Sequence, residues 1–255
     1  MKIAADNLNA LNPAVSGALR DLNPEPIKKL AMECDLPEVH FIDINPGFLS
    51  RRHADRMTFM VETVQDATRM KLILDSPDPE ILARGLAVCR EKPVLNALSL
   101  ERHKIEGILP LAAEHGTRLV LLLMDERSRV PLSMEERIAI AVELRELALS
   151  AGLQDKDLIY DPVMPNLSWP DAEHHVREIV KTIRMLSGFS LFPEPAQTMI
   201  GLSNLRSGLR KKYPIELETT ILALLAGSGL NIVLADVIQN GFIKEYNKIK
   251  PFCET

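Results

Sequence analysis

The chain has 255 residues, of which 46% are hydrophobic and 25% are charged, and its formal net charge is −5 at pH 7. This length and apolar content are sufficient for one large core and do not require two domains. The absence of a long basic block argues against nucleic acid as the main partner, and no apolar run has the length of a membrane span.

The N-terminus and the cysteines indicate the compartment. The opening MKIAADNLNALNP carries Asp6 and Asn7 where a secretory signal needs an unbroken apolar segment. Cys34, Cys89 and Cys253 form no Cys-x-x-Cys pair, and so few cysteines do not predict a disulfide framework. We therefore expect a cytoplasmic protein with reduced thiols.

Short apolar runs alternate along the chain with longer helical segments. The runs are KIAA from Lys2, VHFIDI from Val39, KLILD from Lys71, PVLNAL from Pro93, RLVLLLM from Arg118, LIYDPV from Leu158, TMIGLS from Thr198 and NIVLADV from Asn231. They are almost continuously apolar, which is typical of parallel strands covered on both faces.

The segments between these runs carry helix signals. Asp78 and Pro79 form an N-cap and first position for a helix in 78–91. Ser133 and Glu136 have capping-box spacing. The segment 173–186 repeats apolar residues along one helical face. The sequence therefore predicts alternating strands and helices.

About eight such units in a chain of this length predict a (β/α)8 TIM barrel, forming a single domain over residues 1–255. The competing fold is a doubly wound open sheet, which normally has a glycine-rich turn after its first strand. KIAADNLNALNP contains no glycine, so the barrel is favoured.

Polar residues recur where the predicted strands end, which is where an active site lies in this type of barrel. They are Asp43, Asn45, Asp75, Asn96, Asp161, Ser203, Asn204 and Asp236. Carboxylates accept hydrogen bonds, and carboxamides both donate and accept. Such a ring suits a neutral, flat heterocycle with its own N–H donors, rather than a phosphate.

Helix capping and turn formation are an alternative explanation of these residues. It is preferred for Ser76, Ser99 and Asp43. The repetition favours a binding site, as does the position of the remaining polar residues inside apolar runs, where an unpaired polar group is costly. A divalent metal has less support because no histidine follows a strand with the aspartates, and no metal is predicted.

Five of these motifs together resemble one family. DINPG, LILDS, VLNALS, DLIYDPV and TMIGLSN occur in the order and at spacings similar to those of pterin-binding barrel methyltransferases, the methyltetrahydrofolate:corrinoid protein methyltransferases. The likeness extends over nearly the whole chain. The same pocket pattern also occurs in dihydropteroate synthase.

The resemblance implies a role for each matching residue. Asp75, Asn96 and Asp161 would hold the pterin ring, and Asn45 would line the same cup. Asn204, with Ser203 beside it, would contact N5, the nitrogen that carries the methyl group. Because no strong general acid is expected at that end, Asn204 is the implied catalytic residue and would stabilise protonated N5.

The implied reaction moves a methyl group between N5 of tetrahydrofolate and the cobalt of a corrinoid carried by a partner protein, in either direction. The partner would approach the open end of the barrel, lined by the loops 45–56 and 164–171, the second containing Trp169. Trp169 is equally explained by packing at the start of a helix. A homodimer is a family expectation.

Two other functions remain open. A dihydropteroate synthase needs a basic anchor after the seventh and eighth strands, where this chain has GLSNLRSG and VLADVIQ, with Arg206 and Arg210 nearby. A non-catalytic folate-binding barrel is the other. The first strand also departs from the methyltransferase pattern, because IAADNLN lacks a Glu-Arg pair, and Asp6, Asn7 and Asn9 therefore have no assigned role.

Overall fold

The computed structural model describes residues 1–49, 53–209, 213–238 and 241–252. Eight parallel strands follow one another around a closed barrel, and the last pairs with the first. This confirms the (β/α)8 barrel predicted from the sequence. Arg210, Cys253 and residues 50–52 of the first predicted rim loop lie outside the described residues.

All eight predicted apolar runs form strands. The strands are β1 Lys2–Asn9, β2 Val39–Asn45, β3 Lys71–Asp75, β4 Val94–Leu98, β5 Arg118–Leu122, β6 Leu158–Asp161, β7 Gln197–Gly201 and β8 Ile232–Ala235. The α-helices within the described residues are α1 Pro13–Asp21, α2 Pro24–Cys34, α3 Asp55–Ala67, α4 Pro79–Leu86, α5 Arg102–His115, α6 Met134–Ser150, α7 Ala172–Leu186, α8 Ile215–Ala226 and α9 Phe242–Ile249.

The barrel has two apolar layers, one on each face of its sheet. The inner layer is formed by inward side chains of successive strands, which are Ala4, Phe41, Ile73, Val94, Val120, Ile159, Met199 and Ile232. The alternate residues pack outward against the helices in the larger core. Both faces of each strand are therefore buried, which explains why the strands are continuous apolar runs.

Local capping signals gave the helix starts correctly. The Asp78 side chain accepts a hydrogen bond from the Glu80 amide (2.8 Å). Ser133 and Glu136 form the reciprocal capping box. The helix that begins at Pro79 ends at Leu86, earlier than the apolar pattern suggested, and the chain then turns towards β4. Within the described residues, no helix combines the length and apolar character needed to cross a membrane.

Candidate active site

A cavity of about 350 Å³ opens at the carboxyl end of the strands. All six residues assigned to the site from the sequence line it, and they are Asn45, Asp75, Asn96, Asp161, Ser203 and Asn204. Its volume is in the range of small-molecule sites. The side chains converge as predicted, while their roles in binding and catalysis stay predictions.

The two-residue period of the strands explains this convergence. Side chains two positions apart on a strand point to the same face of the sheet. Asp75, Asn96 and Asp161 each lie two residues beyond an inward apolar residue, namely Ile73, Val94 and Ile159. The floor of the cavity is therefore the apolar inner layer, and its wall is the next inward position of each strand.

Asn45 orients Asp75 across neighbouring strands. Its side-chain amide donates to Asp75 Oδ2 (2.9 Å), while its own Oδ1 accepts from the Gly47 amide (2.9 Å). Burial raises the pKa of Asp75 to about 6, and the bond from Asn45 and the charge of Lys104 oppose that rise. The bond from Asn45 thus fixes the carboxylate of Asp75, and the oxygens of that carboxylate can still accept hydrogen bonds from a ligand.

Asp43 lies on the cavity wall, so its interpretation as a turn or capping residue is wrong. It is hydrogen-bonded to Asn96, and burial, with the nearby charge of Asp75, raises its pKa well above the ordinary value. Its Oδ1 is buried without a hydrogen-bond partner. Ser76, in contrast, accepts from the Asp78 amide (3.2 Å) and does serve a turn.

The carboxylate of Asp161 is fixed by the residues that follow it. Its Oδ1 accepts from the Val163 amide (2.8 Å), and Val163 has a φ of 66°, a left-handed conformation that β-branched residues rarely adopt. Burial raises the pKa of Asp161 to about 7. The turn therefore occupies one carboxylate oxygen and leaves the other for the cavity.

Arg137 of α6 stabilises the turn that follows Asp161. Its side chain is fully buried, and Nε donates to the Pro162 carbonyl (3.2 Å). A second nitrogen donates to the Leu132 carbonyl (3.2 Å), and the third lies 2.7 Å from His175 Nδ1. Since a guanidinium can only donate, His175 accepts through Nδ1. Arg137 thereby ties three segments together.

Trp169 packs edge-on against His175, with ring centroids 5.4 Å apart. The contact places Trp169 at the start of α7, as the packing interpretation of this residue expected. It remains partly exposed at the rim of the barrel.

Asn204 reaches the mouth of the cavity through a short 3-10 helix, Leu202–Leu205, that directly follows β7. The backbone carbonyl of Asn204 accepts from the Asn166 side chain (3.1 Å), which also donates to Ser207 (2.7 Å). Gly201 provides the necessary space, because a Cβ there would lie 2.9 Å from Asn204 Nδ2. The side chain of Asn204 is exposed towards solvent.

The family follows from comparison with known proteins. A model described as "Pterin binding enzyme" matches residues 48–234. The chain belongs to this family. The resemblance to pterin-binding barrels predicted from the five motifs is thereby confirmed.

The sequence of this pterin-binding chain is similar to those of two curated enzymes. It is 26% identical over 202 residues to a methylcorrinoid:tetrahydrofolate methyltransferase of Eubacterium limosum, covering 74% of this chain and 73% of that protein. It is 21% identical over 198 residues to methionine synthase of Mycobacterium tuberculosis, covering 75% of this chain but 16% of that enzyme. The second similarity therefore concerns one part of a much larger protein.

Two solved structures of similar fold are dihydropteroate synthases. One from Coxiella burnetii in complex with pteroic acid superposes with a TM-score of 0.72 at 11% identity, covering 100% of this chain and 94% of that one. One from Yersinia pestis with a pterine-sulfa conjugate gives 0.68 at 16% identity, covering 98% and 93%. At such identities the likeness shows the fold alone.

Sequence reasoning left Asp6 of the pterin-binding barrel without a role, yet it lies in the cavity wall. The Ser203 hydroxyl donates to Asp6 Oδ2. Burial raises the pKa of Asp6 to about 6, although the bond from Ser203 lowers it. A signal was available, because Asp6 lies two residues beyond the inward Ala4, as Asp75, Asn96 and Asp161 do on their strands.

Asn7 and Asn9, which were also unassigned, have separate contacts. Asn7 donates to Asp236 Oδ1 (2.6 Å) and accepts from the Val237 amide (3.1 Å), so it joins β1 to the end of β8. Asn9 accepts from the Leu11 amide (2.8 Å) in a turn. Asp236 itself lines a neighbouring groove rather than the central cavity.

Lys104 is a second residue that strand-end reasoning missed, because it extends into the cavity from α5. Its Nζ lies 2.6 Å from Glu101 Oε2. Burial alone would raise the pKa of Glu101, but bonds from Lys104, Ser128 and Ser99 lower it to about 2. The ammonium of Lys104 is therefore neutralised locally. Across the described ranges of the chain, no three His, Cys, Asp or Glu side chains are arranged to hold a metal ion.

Proposed function

We propose that the protein is a methyltransferase that moves a methyl group between N5 of tetrahydrofolate and the cobalt of a corrinoid carried by a partner protein. The observation that carries the proposal is the convergence of Asp75, Asn96 and Asp161 on one cavity that also contains Asn204. The name and 26% identity of the Eubacterium limosum relative support the reaction type. The free thiols of Cys34 and Cys89 in the present chain support a reducing, cytoplasmic location for it.

The three inner residues bind the pterin ring in this proposal. A carboxylate accepts hydrogen bonds from a ring N–H and an exocyclic amine, and the Asn96 amide serves a ring nitrogen. Asp75 and Asp161 have raised pKa values because they are buried with few donors. The N–H groups of a pterin supply the missing donors, which favours the charged carboxylates and makes the cavity selective for this type of ring.

Asn204 acts at the other end of the ring, where the methyl group is exchanged. A tertiary amine is a poor leaving group, so N5 needs a proton or a strong hydrogen bond in the transition state. The Asn204 amide lies at the exposed mouth and supplies a neutral dipole there. The corrinoid supplies the metal that takes up or gives the methyl group, and the barrel supplies position.

Charge pairing argues against a dihydropteroate synthase, which must bind pyrophosphate. Arg206 is hydrogen-bonded through two nitrogens to Glu218, and Lys104 is paired with Glu101. Both of these cations of the described chain are therefore compensated by carboxylates before any anion arrives. Arg210, the other cation considered for this role, lies outside the described residues.

One experiment separates the candidate functions. Purified protein is mixed with methyltetrahydrofolate and free reduced cobalamin, and with methylcobalamin and tetrahydrofolate, while the absorbance of the cobalt centre is recorded. Methyl transfer in either mixture is the expected result. A parallel mixture contains a pterin pyrophosphate and p-aminobenzoate, and their condensation would instead identify a synthase. Folate binding without either reaction would identify a binding protein.

A further inference from the structure

Buried Asp6 and half-buried Ser203 form a polar pair that the proposed binding of the pterin ring does not use. Asp6 is 8% exposed, and the hydroxyl of Ser203 donates to it. Both line the cavity, and Ser203 directly precedes Asn204 in the 3-10 helix after β7. A carboxyl group is thus present at the end of the cavity where sequence reasoning expected no general acid.

The surroundings of Asp6 favour its protonated form. Asp236 follows β8, Glu218 lies on α8, and Asp43 faces it from β2, so the ionisable groups around it are mainly carboxyl groups. Among the described residues, the thiol of Cys34 on α2 is a further neighbour, and its pKa is raised by burial and by Asp236 and Asp6. Arg206, which lies near these carboxyl groups, is hydrogen-bonded through two nitrogens to Glu218.

We propose that Asp6, acting with Ser203, exchanges the proton that N5 of the folate gains or loses during methyl transfer. This inference rests on the proposed function and adds a proton donor to it. In this arrangement Ser203 donates to N5 while accepting from Asp6, and Asn204 keeps its role as the neutral dipole.

The step balances in both directions. When the methyl group leaves the folate, the N5–carbon bond breaks and its electron pair stays on nitrogen. The methyl carbon bonds to the reduced metal of the corrinoid, which supplies the new electron pair. A proton moves from Asp6 through the Ser203 hydroxyl to N5, leaving a carboxylate that water reprotonates. In the opposite direction N5 attacks the methyl carbon, and the same pair removes the proton from nitrogen.

Asp6 is better suited to this step than Asp75 or Asp161. Asp75 is bonded to the Asn45 amide and Asp161 to the Val163 amide, and neither of those groups can accept a proton. The partner of Asp6 is a hydroxyl, which donates and accepts and can therefore pass a proton on. A pKa of about 6 leaves both forms of Asp6 accessible near neutral pH, as proton transfer requires.

The test compares Asp6→Asn and Ser203→Ala with wild type. Asp6→Asn keeps the shape and removes the titrating group, so methyl transfer with free cobalamin should fall by about 100-fold or more. The dependence of the wild-type rate on pH near 6 should disappear. Ser203→Ala leaves Asp6 in place and should also slow transfer. Binding of methyltetrahydrofolate, followed by calorimetry, should change by less than about threefold in either variant.

Two further measurements make the outcome decisive. Calorimetry in buffers of different ionisation enthalpy counts the protons exchanged on folate binding near pH 6, and Asp6→Asn should alter that count. Asp236→Asn is the control, because it removes a carboxylate that lies near Asp6 but does not line the central cavity. It should retain transfer, and its pH dependence should persist but move to lower pH, because Asp236 contributes to the raised pKa of Asp6. If Asp6→Asn transfers methyl groups at the wild-type rate with the wild-type pH profile, the role of Asp6 as proton donor is overturned and the proposed function still stands. If wild type itself transfers none, the proposed function fails.

Discussion

At the scale of single residues, Gly201 determines where Asn204 can lie. Its φ of −82° is accessible to any residue, so the glycine is not required by the backbone. The constraint at this position is space, since an added Cβ would lie 2.9 Å from Nδ2 at the flexible end of the Asn204 side chain. The adjacent side chain would have to move, and with it the amide dipole proposed to act on N5.

Gly201→Ala is therefore expected to slow methyl transfer by at least about tenfold, because small displacements of a catalytic group are costly. Folate affinity should change little, since the ring contacts proposed above lie elsewhere in the cavity. Rates with free cobalamin and calorimetric Kd values measure the two effects. Gly17→Ala in α1 is the matched control, with its nearest added contact at an ordinary 3.8 Å. Equal transfer by both variants would contradict the assignment.

At the scale of elements, Arg137 connects α6 to the turn after β6 and to α7. It is fully buried, and its donors serve the carbonyls of Pro162 and Leu132 and the ring of His175. Methionine at this position has a similar length but no donor. All three acceptors would then lose a buried partner, and the turn that bears Val163 and orients Asp161 would lose its support.

Arg137→Met should lower the free energy of unfolding by about 2–4 kcal/mol. It should also weaken folate binding, because Asp161 is no longer held by the turn. Chemical denaturation and calorimetry test these two expectations. Arg102→Met is the control, because Arg102 is exposed and pairs with Glu106 on the same helix. A variant as stable as wild type with unchanged folate affinity would show that Arg137 does not support the site.

The contrast between these elements explains what the sequence could predict. Asp78 caps a helix within two residues of itself, so the signal is local and was readable. The inward positions of Asp75, Asn96 and Asp161 follow from a period of two along single strands. The contacts of Arg137 join residues 25 and 38 positions apart, and nothing in a single sequence specifies such a pairing. Lys104 was missed for a similar reason, since it enters the cavity from a helix.

At the scale of the whole molecule, the barrel concentrates carboxyl groups in an apolar interior. Burial raises the pKa of Asp6 and Asp75 to about 6 and of Asp161 to about 7. A carboxyl group with a folded-state pKa above its unfolded value binds more protons in the folded state. The free energy of unfolding should therefore rise as pH falls from 8 to 6. Folate binding, which in the proposed function uses the carboxylates as acceptors, should weaken over the same range.

Asp161→Asn isolates this effect, because it removes the titration and keeps the shape. At pH 8 the variant should be more stable than wild type by at least about 1 kcal/mol, and the difference should shrink towards pH 6. The two histidines with lowered pKa, His40 and His175, act in the opposite sense but are common to both proteins and cancel in the difference. The same variant should lose most of its folate affinity at pH 8. Urea denaturation measures the free energy of unfolding and calorimetry measures the folate affinity, each at several pH values. If the variant is less stable than wild type at pH 8, it contradicts the view that this carboxylate is retained for binding at the expense of stability.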